Sequence, residues 1–232
     1  MSEIGPLSAL ALRFGSDKWG SHSYTMHYEA HFAAFRDKPI NLLEIGIGGY
    51  EDPAAGGASL RMWENYFSRA TIYALDMYDK SPHATNRVKI YQGSQIDGDL
   101  LSRINGDAGG FDIIIDDGSH HPAHVIASFE MLFPYLKPGG LYIVEDTQTS
   151  YWPSWGGSTV DMDSPATSMG YFKGLIHGLN HAEIIRAAEP SPYEAGIVSM
   201  HFYHNLIMLY KGDNMEPSNV ATDHPARQAA TE

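Results

Sequence analysis

The stretch Leu-Glu-Ile-Gly-Ile-Gly-Gly at residues 43–49 is the part of the sequence that decides the fold. It completes an apolar run that begins at Ile40 and then places glycines at positions 46, 48 and 49. This pattern predicts a buried strand that ends in a sharp turn, where the backbone can approach a ligand because no Cβ stands in the way. A tight connection without any ligand is the alternative interpretation.

Apolar runs and helical patterns alternate along the chain after this turn. The predicted strands after the first one (40–47) lie at 71–76, 88–93, 111–117 and 140–146, and the predicted helices lie near 58–67, 97–105, 122–136 and 166–180. Such alternation is typical of a parallel sheet with helices on both faces. Two more apolar runs within 197–212 are joined at residues 203–205, which leaves room only for a tight antiparallel turn. The sequence thus predicts an α/β fold whose mostly parallel sheet ends in a C-terminal hairpin.

The length of 232 residues and the 43% hydrophobic content suit one domain with a sizeable core. We expect residues 40–212 to form that domain. Residues 1–39 are predicted to be a helical extension, with a helix at 24–36 that either packs on the sheet edge or forms a lid over the strand ends. Residues 213–232 are polar and show no periodicity, so they are predicted to be a mobile tail.

The charge of the chain limits its partners. A formal charge of −13, from 28 acidic and 15 basic residues, would repel nucleic-acid phosphates and anionic lipids, so we expect neither nucleic acid nor membrane as a partner. The sequence has no basic segment followed by a long apolar run, which favours a cytoplasmic protein. Because cysteine is absent, only oxygen and imidazole groups are available as metal ligands.

Acidic and amide side chains accompany the ends of the first three strands. Glu44 lies just before the glycine turn, and Glu51 stands where a dinucleotide fingerprint has its third glycine, so a pyrophosphate is disfavoured. S-adenosylmethionine, which is cationic and has no phosphate, fits better. Asp76 ends the second strand, where a carboxylate can accept both ribose hydroxyls or merely cap a turn. Gln95 and Asp97 suit an adenine amino group, and a plain helix N-cap is an almost equal alternative for Asp97.

Carboxylate pairs end the fourth and fifth predicted strands, as Asp116-Asp117 and Glu145-Asp146. The carboxyl ends of neighbouring parallel strands lie about 5 Å apart. Carboxylates repel one another at that distance unless protons or a metal ion neutralise them. A hard cation such as Mg²⁺ is the natural partner for oxygen ligands, and separate capping roles are the alternative.

An imidazole follows the first of these pairs. His120 lies three residues after Asp117, close enough to take a proton from a metal-bound hydroxyl, and imidazole has a suitable pKa near neutral pH. His121 and His124 are nearby, and a surface or packing role is the default for any one of the three. His120 is nearest to the acidic residues and is therefore the predicted general base.

Several of these stretches together resemble a known family. LLEIGIGGY, FDIIIDDGSHH, GGLYIVEDTQTSYWP and SMHFYHNLIMLYKG are similar to the metal-dependent sugar O-methyltransferases of the mycinamicin 2″-O-methyltransferase type, which are related to rhamnosyl O-methyltransferases. The similarity runs from about Gly15 to Gly212 and includes GSDKWGSHSYTMHYEAHF. The resemblance implies a Rossmann-like class I methyltransferase fold with seven strands, which binds S-adenosylmethionine beyond the first two strands and Mg²⁺ near the fourth and fifth.

The resemblance also implies roles for individual residues. Asp117, Glu145 and Asp146 would be the metal ligands, and His120 the general base. Glu44, Gly46 and Asp76 would line the cofactor site. Our full set of predicted cofactor-binding residues adds Gly48, Met77, Gln95, Asp97 and Asp116. Catechol O-methyltransferase, a more distant relative, also has its base three residues after its first metal ligand, although that base is lysine. The implied substrate is a sugar hydroxyl of a glycosylated natural product or nucleotide sugar, and a homo-oligomer is expected by analogy.

Three other functions compete with this one. A short-chain oxidoreductase shares the strand and helix alternation, but none of the 14 tyrosines has the required lysine four residues later. A catalytically silent relative would bind cofactor or metal only as a scaffold. A methyltransferase acting on a catechol-like or other secondary metabolite is the third. The aromatic loop at 151–157 suits a sugar ring or a flat aglycone, and packing alone explains such tryptophans equally well.

Overall fold

The computed structural model describes residues 4–186 and 188–220. Its strands are β1 (Asn41–Ile45), β2 (Thr71–Asp76), β3 (Val88–Gln92), β4 (Phe111–Asp116), β5 (Leu136–Glu145), β6 (Ile197–Tyr203) and β7 (Leu206–Lys211). Its α-helices are α1 (Pro6–Phe14), α2 (Tyr24–Phe32), α3 (Ala58–Tyr66), α4 (Gly98–Ala108), α5 (Pro122–Leu132), α6 (Ser168–Leu175) and α7 (Pro192–Gly196). The second half of the predicted tail, 221–232, lies outside the described residues.

The sheet has seven strands in the order β3-β2-β1-β4-β5-β7-β6. Strands β1 to β5 pair in parallel, whereas β7 pairs antiparallel with both β5 and β6. The predicted parallel sheet with a closing hairpin is confirmed. Strands β2 and β3 lie on one side of β1, whereas β4 and β5 lie on its other side. Open α/β sheets bind ligands beyond the carboxyl ends of their strands at the point where the strand order changes side in this way.

Both faces of the sheet are buried, which explains why the central strands are apolar without a polar alternate. Leu42 of β1 and Ile113 of β4 belong to a core that includes Trp63 of α3. The next residue along each strand, Leu43 or Ile114, belongs to the core on the opposite face. Adjacent side chains of a strand point to opposite faces, so each strand contributes to both cores.

The helix boundaries differ from the sequence predictions. The helix expected at 122–136 ends at Leu132 and continues as a 3₁₀ turn, because Pro134 cannot donate a backbone hydrogen bond. The helix expected at 166–180 is α6 followed by a 3₁₀ segment, Ile176–Glu183, and the one at 24–36 is α2 followed by a 3₁₀ turn. Strand β5 begins four residues earlier than 140, with a register irregularity opposite Phe111 and Ile113.

The N-terminal extension packs on the face of the sheet that carries α3. Helix α1 was not predicted; it begins with Pro6 and ends at Phe14, and the following Gly15 has a φ of 73°, which suits a glycine cap. Leu7 and Ala11 of α1 are buried in the same core as Trp63. The extension is therefore part of the domain core, and the connection between α1 and α2 lies beside the strand ends.

Residues 213–220, which the sequence assigned to a mobile tail, make hydrogen bonds with the rest of the domain. The side chain of Asn214 donates to the carbonyl oxygens of Gly178 and Glu194, at 3.2 and 2.8 Å. The hydroxyl of Ser218 donates to Glu183 at 2.8 Å. Among the residues that the structure describes, no helix is long and apolar enough to cross a membrane.

Candidate active site

A cavity of about 580 Å³ opens at the carboxyl ends of the parallel strands. This volume is in the range typical of cofactor and small-molecule sites. Its walls bring together eight of the predicted site residues, namely Gly46, Gly48, Asp76, Met77, Gln95, Asp117, His120 and Asp146. These eight positions, which include predicted cofactor, metal and base residues, therefore meet in one continuous space.

The glycine turn after β1 is shaped by the protein as well as by any ligand. Gly46 has a φ of 90°, and a Cβ on it would lie 2.0 Å from the carbonyl oxygen of Asp117. The amide of Asp117 in turn donates to the carbonyl of Ile45 at 2.9 Å. The positive φ and the close approach of Asp117 both require glycine at position 46. Another residue would strain the backbone and push away the end of β4.

Asp76 has the turn-capping role that the sequence left open, and its role in accepting ribose hydroxyls stays a prediction. Its carboxylate accepts hydrogen bonds from the backbone amides of Ile47 and Tyr78, at 2.8 and 2.9 Å, so it fixes the turns after β1 and β2. The residue is also partly exposed and lines the cavity. It can therefore present oxygen to a ligand from a fixed position.

Glu44 and Asp97 do not line the cavity in the described part of the chain. Glu44 is fully buried beneath it and accepts a hydrogen bond from Ser59 at 3.0 Å. Burial raises the pKa of Glu44 to about 7, although nearby Lys18 opposes this effect. Asp97 is the N-cap of α4 and accepts from the amide of Leu100 at 3.1 Å, so its alternative role as a plain cap is the one observed.

Asp116 also lies away from the cavity walls. It is buried and accepts from Gln95 Nε2 at 3.1 and 3.3 Å, and burial raises its pKa to about 7. The other side-chain atom of Gln95, Oε1, accepts from the amide of Ser119 at 2.7 Å. Asp116 thus orients a cavity residue from behind, and its own predicted role in cofactor binding stays a prediction.

A buried lysine, which the sequence interpretation missed, lies among the carboxylates. Lys18 is 1% exposed, and its Nζ donates to Asp117 Oδ2 at 2.7 Å and to the two oxygens of Glu145 at 2.7 and 2.8 Å. Burial alone would lower the pKa of Lys18, but the charges of Asp117, Glu145 and Glu44 outweigh it and raise the pKa. The sequence did indicate that these carboxylates need a cation nearby. We interpreted that need only as a metal ion, so the lysine was missed.

Two tyrosines of α2 add further donors to the same carboxylates. The hydroxyl of Tyr24 donates to Asp146 Oδ1 at 2.7 Å, and the hydroxyl of Tyr28 donates to Glu145 Oε1. Burial raises the pKa of both tyrosines, so they remain protonated donors. We call Asp117, Glu145 and Asp146 the acidic cluster. The two tyrosines and Lys18 contact this cluster on its inner side, which is the side away from the cavity.

The outer side of the cluster faces the cavity. One ligand atom from each of Asp117, His120 and Asp146 lies within 4.8 Å of the others, which is a group able to hold a metal ion. Glu145 is not in this group, because its oxygens accept from Lys18 and Tyr28. Its role as a metal ligand stays a prediction. Oxygen and imidazole donors fit a divalent cation such as Mg²⁺, which usually keeps some of its waters.

The backbone at this site is held in an uncommon conformation. His120 and Asp146 have φ values of 56° and 54°, which are rare for residues other than glycine. The hydroxyl of Thr149 stabilises the backbone conformation of His120, because it donates to the carbonyl oxygen of His120 at 2.7 Å. Nε2 of His120 lies 3.7 Å from Asp146 Oδ2. Strain of this kind is common where a fold fixes functional side chains.

The histidines near the cavity have different surroundings. His124 Nδ1 bonds the hydroxyl of Ser119 at 2.9 Å, and the ring of His121 stacks on Trp155. His120 is therefore the one of the three beside the carboxylates. A second imidazole, His22, was not predicted; its Nε2 lies 3.7 Å from Asp146 Oδ1, on the other side of that carboxylate.

Known proteins share sequence with this chain. A family model described as a methyltransferase domain matches residues 43–147. The chain is 50% identical over 214 residues to 8-demethyl-8-alpha-L-rhamnosyl tetracenomycin-C 2'-O-methyltransferase of Streptomyces olivaceus, covering 91% of this chain and 56% of that protein. It is 45% identical over 213 residues to mycinamicin VI 2''-O-methyltransferase of Micromonospora griseorubida, covering 90% and 53%. The chain spans little more than half the length of these curated relatives.

Solved structures share the fold. MycE methyltransferase from the mycinamycin biosynthetic pathway, in complex with Mg and SAH, is 42% identical with a TM-score of 0.90, covering 99% of this chain and 60% of that chain. A putative caffeoyl-CoA O-methyltransferase from Staphylococcus aureus, 16% identical over 90% of this chain and 93% of that chain, shares the fold alone with a TM-score of 0.54. By sequence and by fold, this chain is similar to the sugar O-methyltransferases of the mycinamicin 2″-O-methyltransferase type, and its fold is that of a class I methyltransferase.

Proposed function

We propose that the protein is an S-adenosylmethionine-dependent and divalent metal-dependent O-methyltransferase that acts on a sugar hydroxyl of a glycosylated natural product. The observation that carries the proposal is the meeting of Asp117, His120 and Asp146 on the wall of the same cavity as the glycine turn and Asp76. The named activities of the relatives support it, since both are O-methyltransferases and one is named for a rhamnosyl compound.

The first part of the cavity fits S-adenosylmethionine. The turn at Gly46 and Gly48 leaves room for a ligand against the backbone, and Asp76 presents a carboxylate that can accept ribose hydroxyls. Met77 and Gln95 complete the part of the wall that is predicted to hold the cofactor. The acidic surroundings favour a ligand with sulfonium and ammonium charges over a phosphorylated one. When bound, the cofactor supplies the methyl group.

The second part of the cavity fits a divalent cation and an acceptor hydroxyl. Asp117 and Asp146 would hold the ion, which supplies the positive charge that makes a neighbouring hydroxyl more acidic. Glu145 remains a further predicted ligand. Nε2 of His120 accepts the hydroxyl proton, and the strained backbone and Thr149 keep this ring beside Asp146. The oxygen gains a bond to the methyl carbon as the carbon–sulfur bond breaks, which yields a methyl ether and S-adenosylhomocysteine.

The acceptor is proposed to be a deoxysugar of the rhamnose type. One relative is named as the 2'-O-methyltransferase of a rhamnosyl compound, and another is named as the 2''-O-methyltransferase of mycinamicin VI. A solved structure of MycE is a complex with Mg, SAH and mycinamycin VI. We propose that the present site takes the same class of substrate. The homo-oligomer, the cytoplasmic location and the absence of a nucleic-acid partner stay predictions.

The test is a methyl-transfer assay on methyl α-L-rhamnoside with S-adenosylmethionine and Mg²⁺, with and without a chelator. We expect turnover that the chelator abolishes and that added Mg²⁺ restores. Calorimetry of S-adenosylhomocysteine binding accompanies the assay. Binding without methylation of this glycoside, of 4-nitrophenyl α-L-rhamnoside or of catechol would support the silent scaffold, and methylation of catechol alone would support the catechol-like alternative.

A further inference from the structure

Two tryptophans are exposed in the loop that follows the acidic strand end. Trp152 is 46% exposed and Trp155 is 37% exposed, whereas Trp63 in the core is fully buried. The ring of His121 stacks on Trp155, with 5.2 Å between the ring centroids. We call Trp152, Trp155 and His121 the aromatic ledge. Large aromatic side chains gain stability from burial, so a group of them at the surface indicates a binding role.

Hydrogen bonds within its own backbone stabilise the loop that carries these rings. The amide of Trp152 donates to the carbonyl of Thr149 at 3.0 Å, and the amide of Gly157 donates back to the carbonyl of Trp152 at 3.0 Å. The amide of Ser158 donates to the carbonyl of Ser150 at 2.9 Å. Pro153 limits the backbone further. The rings are therefore presented by a preorganised loop, which lowers the entropy lost when a ligand binds.

The aromatic ledge begins where the cavity wall ends. His124 lines the cavity, and its ring centroid lies 5.6 Å from that of His121. On the other side, Thr149 at the start of the loop bonds the carbonyl of His120, the predicted base. A molecule whose hydroxyl reaches His120 and extends toward the solvent can therefore lie against these rings.

We propose that the aromatic ledge binds the apolar aglycone of the glycosylated acceptor, while the sugar lies at Asp117, His120 and Asp146. This inference rests on the proposed function. The rings of Trp152 and Trp155 meet at 64°, so a flat or apolar ring system can stack on the face of one of them, and such stacking is favourable beyond the area buried. The ledge lies outside the cavity, so it selects what the sugar is attached to without taking part in the chemistry.

The test compares two glycosides that differ only in the aglycone, 4-nitrophenyl α-L-rhamnoside and methyl α-L-rhamnoside. We expect the enzyme to show a kcat/KM about tenfold higher for the aryl glycoside, through a lower KM. Trp152→Ala and Trp155→Ala are expected to bring the two values within about twofold of each other. Val160→Ala is the matched control, because Val160 is an apolar residue nearby in the chain that is 98% exposed; it should keep the preference.

A binding measurement separates failure of this inference from failure of the proposed function. With S-adenosylhomocysteine and Mg²⁺ present, 4-nitrophenyl α-L-rhamnoside should quench tryptophan fluorescence saturably, and Trp155→Ala should weaken its binding several-fold. Quenching without turnover would support aglycone binding by the aromatic ledge and would reject the methyltransferase function. Turnover without an aryl preference would reject the ledge alone.

Two further outcomes would overturn the inference. An equal fall in kcat/KM for both glycosides in the alanine variants would show that the loop only supports the catalytic residues. Conversion of an oligomer to a monomer by Trp152→Ala or Trp155→Ala, measured by light scattering, would assign the ledge to a subunit interface. If an alanine variant fails to fold, Trp155→Phe replaces it, because phenylalanine keeps an aromatic face; it should retain most of the preference.

Discussion

Lys18 Nζ contacts both carboxylate oxygens of Glu145, at 2.7 and 2.8 Å, inside the domain. The two residues are 127 positions apart in the chain, and both are almost completely buried. A buried carboxylate without a partner is costly, and here burial and the charge of Asp117 raise the pKa of Glu145 while Lys18 opposes the shift. The contact therefore joins the N-terminal extension to the acidic end of β5.

Lys18→Met should destabilise the protein by about 3–5 kcal/mol, because it leaves buried carboxylates without their cation. The measurement is urea unfolding followed by circular dichroism. The double variant Lys18→Met with Glu145→Gln is the matched control, and it should be more stable than Lys18→Met alone because one uncompensated charge is gone. A cost below about 1 kcal/mol for the single variant would show that the contact contributes little to the fold.

Gly46→Ala should be far more damaging than Gly139→Ala. Both glycines have a positive φ, 90° and 80°, so both substitutions add backbone strain of about 1–2 kcal/mol. A Cβ at Gly46 would also lie 2.0 Å from the carbonyl oxygen of Asp117, whereas nothing lies within 4 Å of one at Gly139. We expect Gly46→Ala to cost at least about 2 kcal/mol more than Gly139→Ala in urea unfolding. Equal costs would show that the turn relaxes without displacing β4.

The contribution of Glu194 to stability should depend on pH. The hydrogen bond from Arg186 at 2.9 Å and that from the amide of Ser191 at 2.7 Å lower the pKa of Glu194 to about 2. A lowered pKa in the folded state means that the stabilisation is present above the unfolded value of about 4.3 and is lost as the pH falls toward 2. Glu194→Gln should therefore be less stable than the parent at pH 6, and the difference should shrink between pH 5 and pH 2. A difference that stays constant over this range would contradict the assignment.

His120→Ala should lower kcat by about 10²–10⁴-fold if the protein has the proposed activity, because the hydroxyl proton then lacks its acceptor. The measurement is turnover of methyl α-L-rhamnoside with cofactor and Mg²⁺ saturating, while circular dichroism checks the fold. His204→Ala is the matched control, since His204 is exposed in the turn between β6 and β7. Unchanged turnover in His120→Ala would require another base, and His22, which lies 3.7 Å from Asp146 Oδ1, would be the next to substitute.

The sequence by itself determined the sheet and the position of the site along it. Strands and helices follow from the local alternation of apolar runs, and the carboxylates at 116–117 and 145–146 had to meet because parallel strands end at one edge of a sheet. Helix ends were less predictable, because periodicity does not record where a 3₁₀ turn follows α2, α5 or α6, and only the turn after α5 contains a proline.

Only the tertiary structure decided how the acidic residues are used. Neighbouring residues at the end of a strand point to opposite faces, so Asp116 turned to Gln95 and Asp117 to Lys18 and the cavity, a choice that depends on which core each face meets. Lys18 lies 99 residues from Asp117, and Tyr24 lies 122 residues from Asp146. Contacts over such separations arise from the packing of the N-terminal extension on the sheet, and no local pattern encodes them.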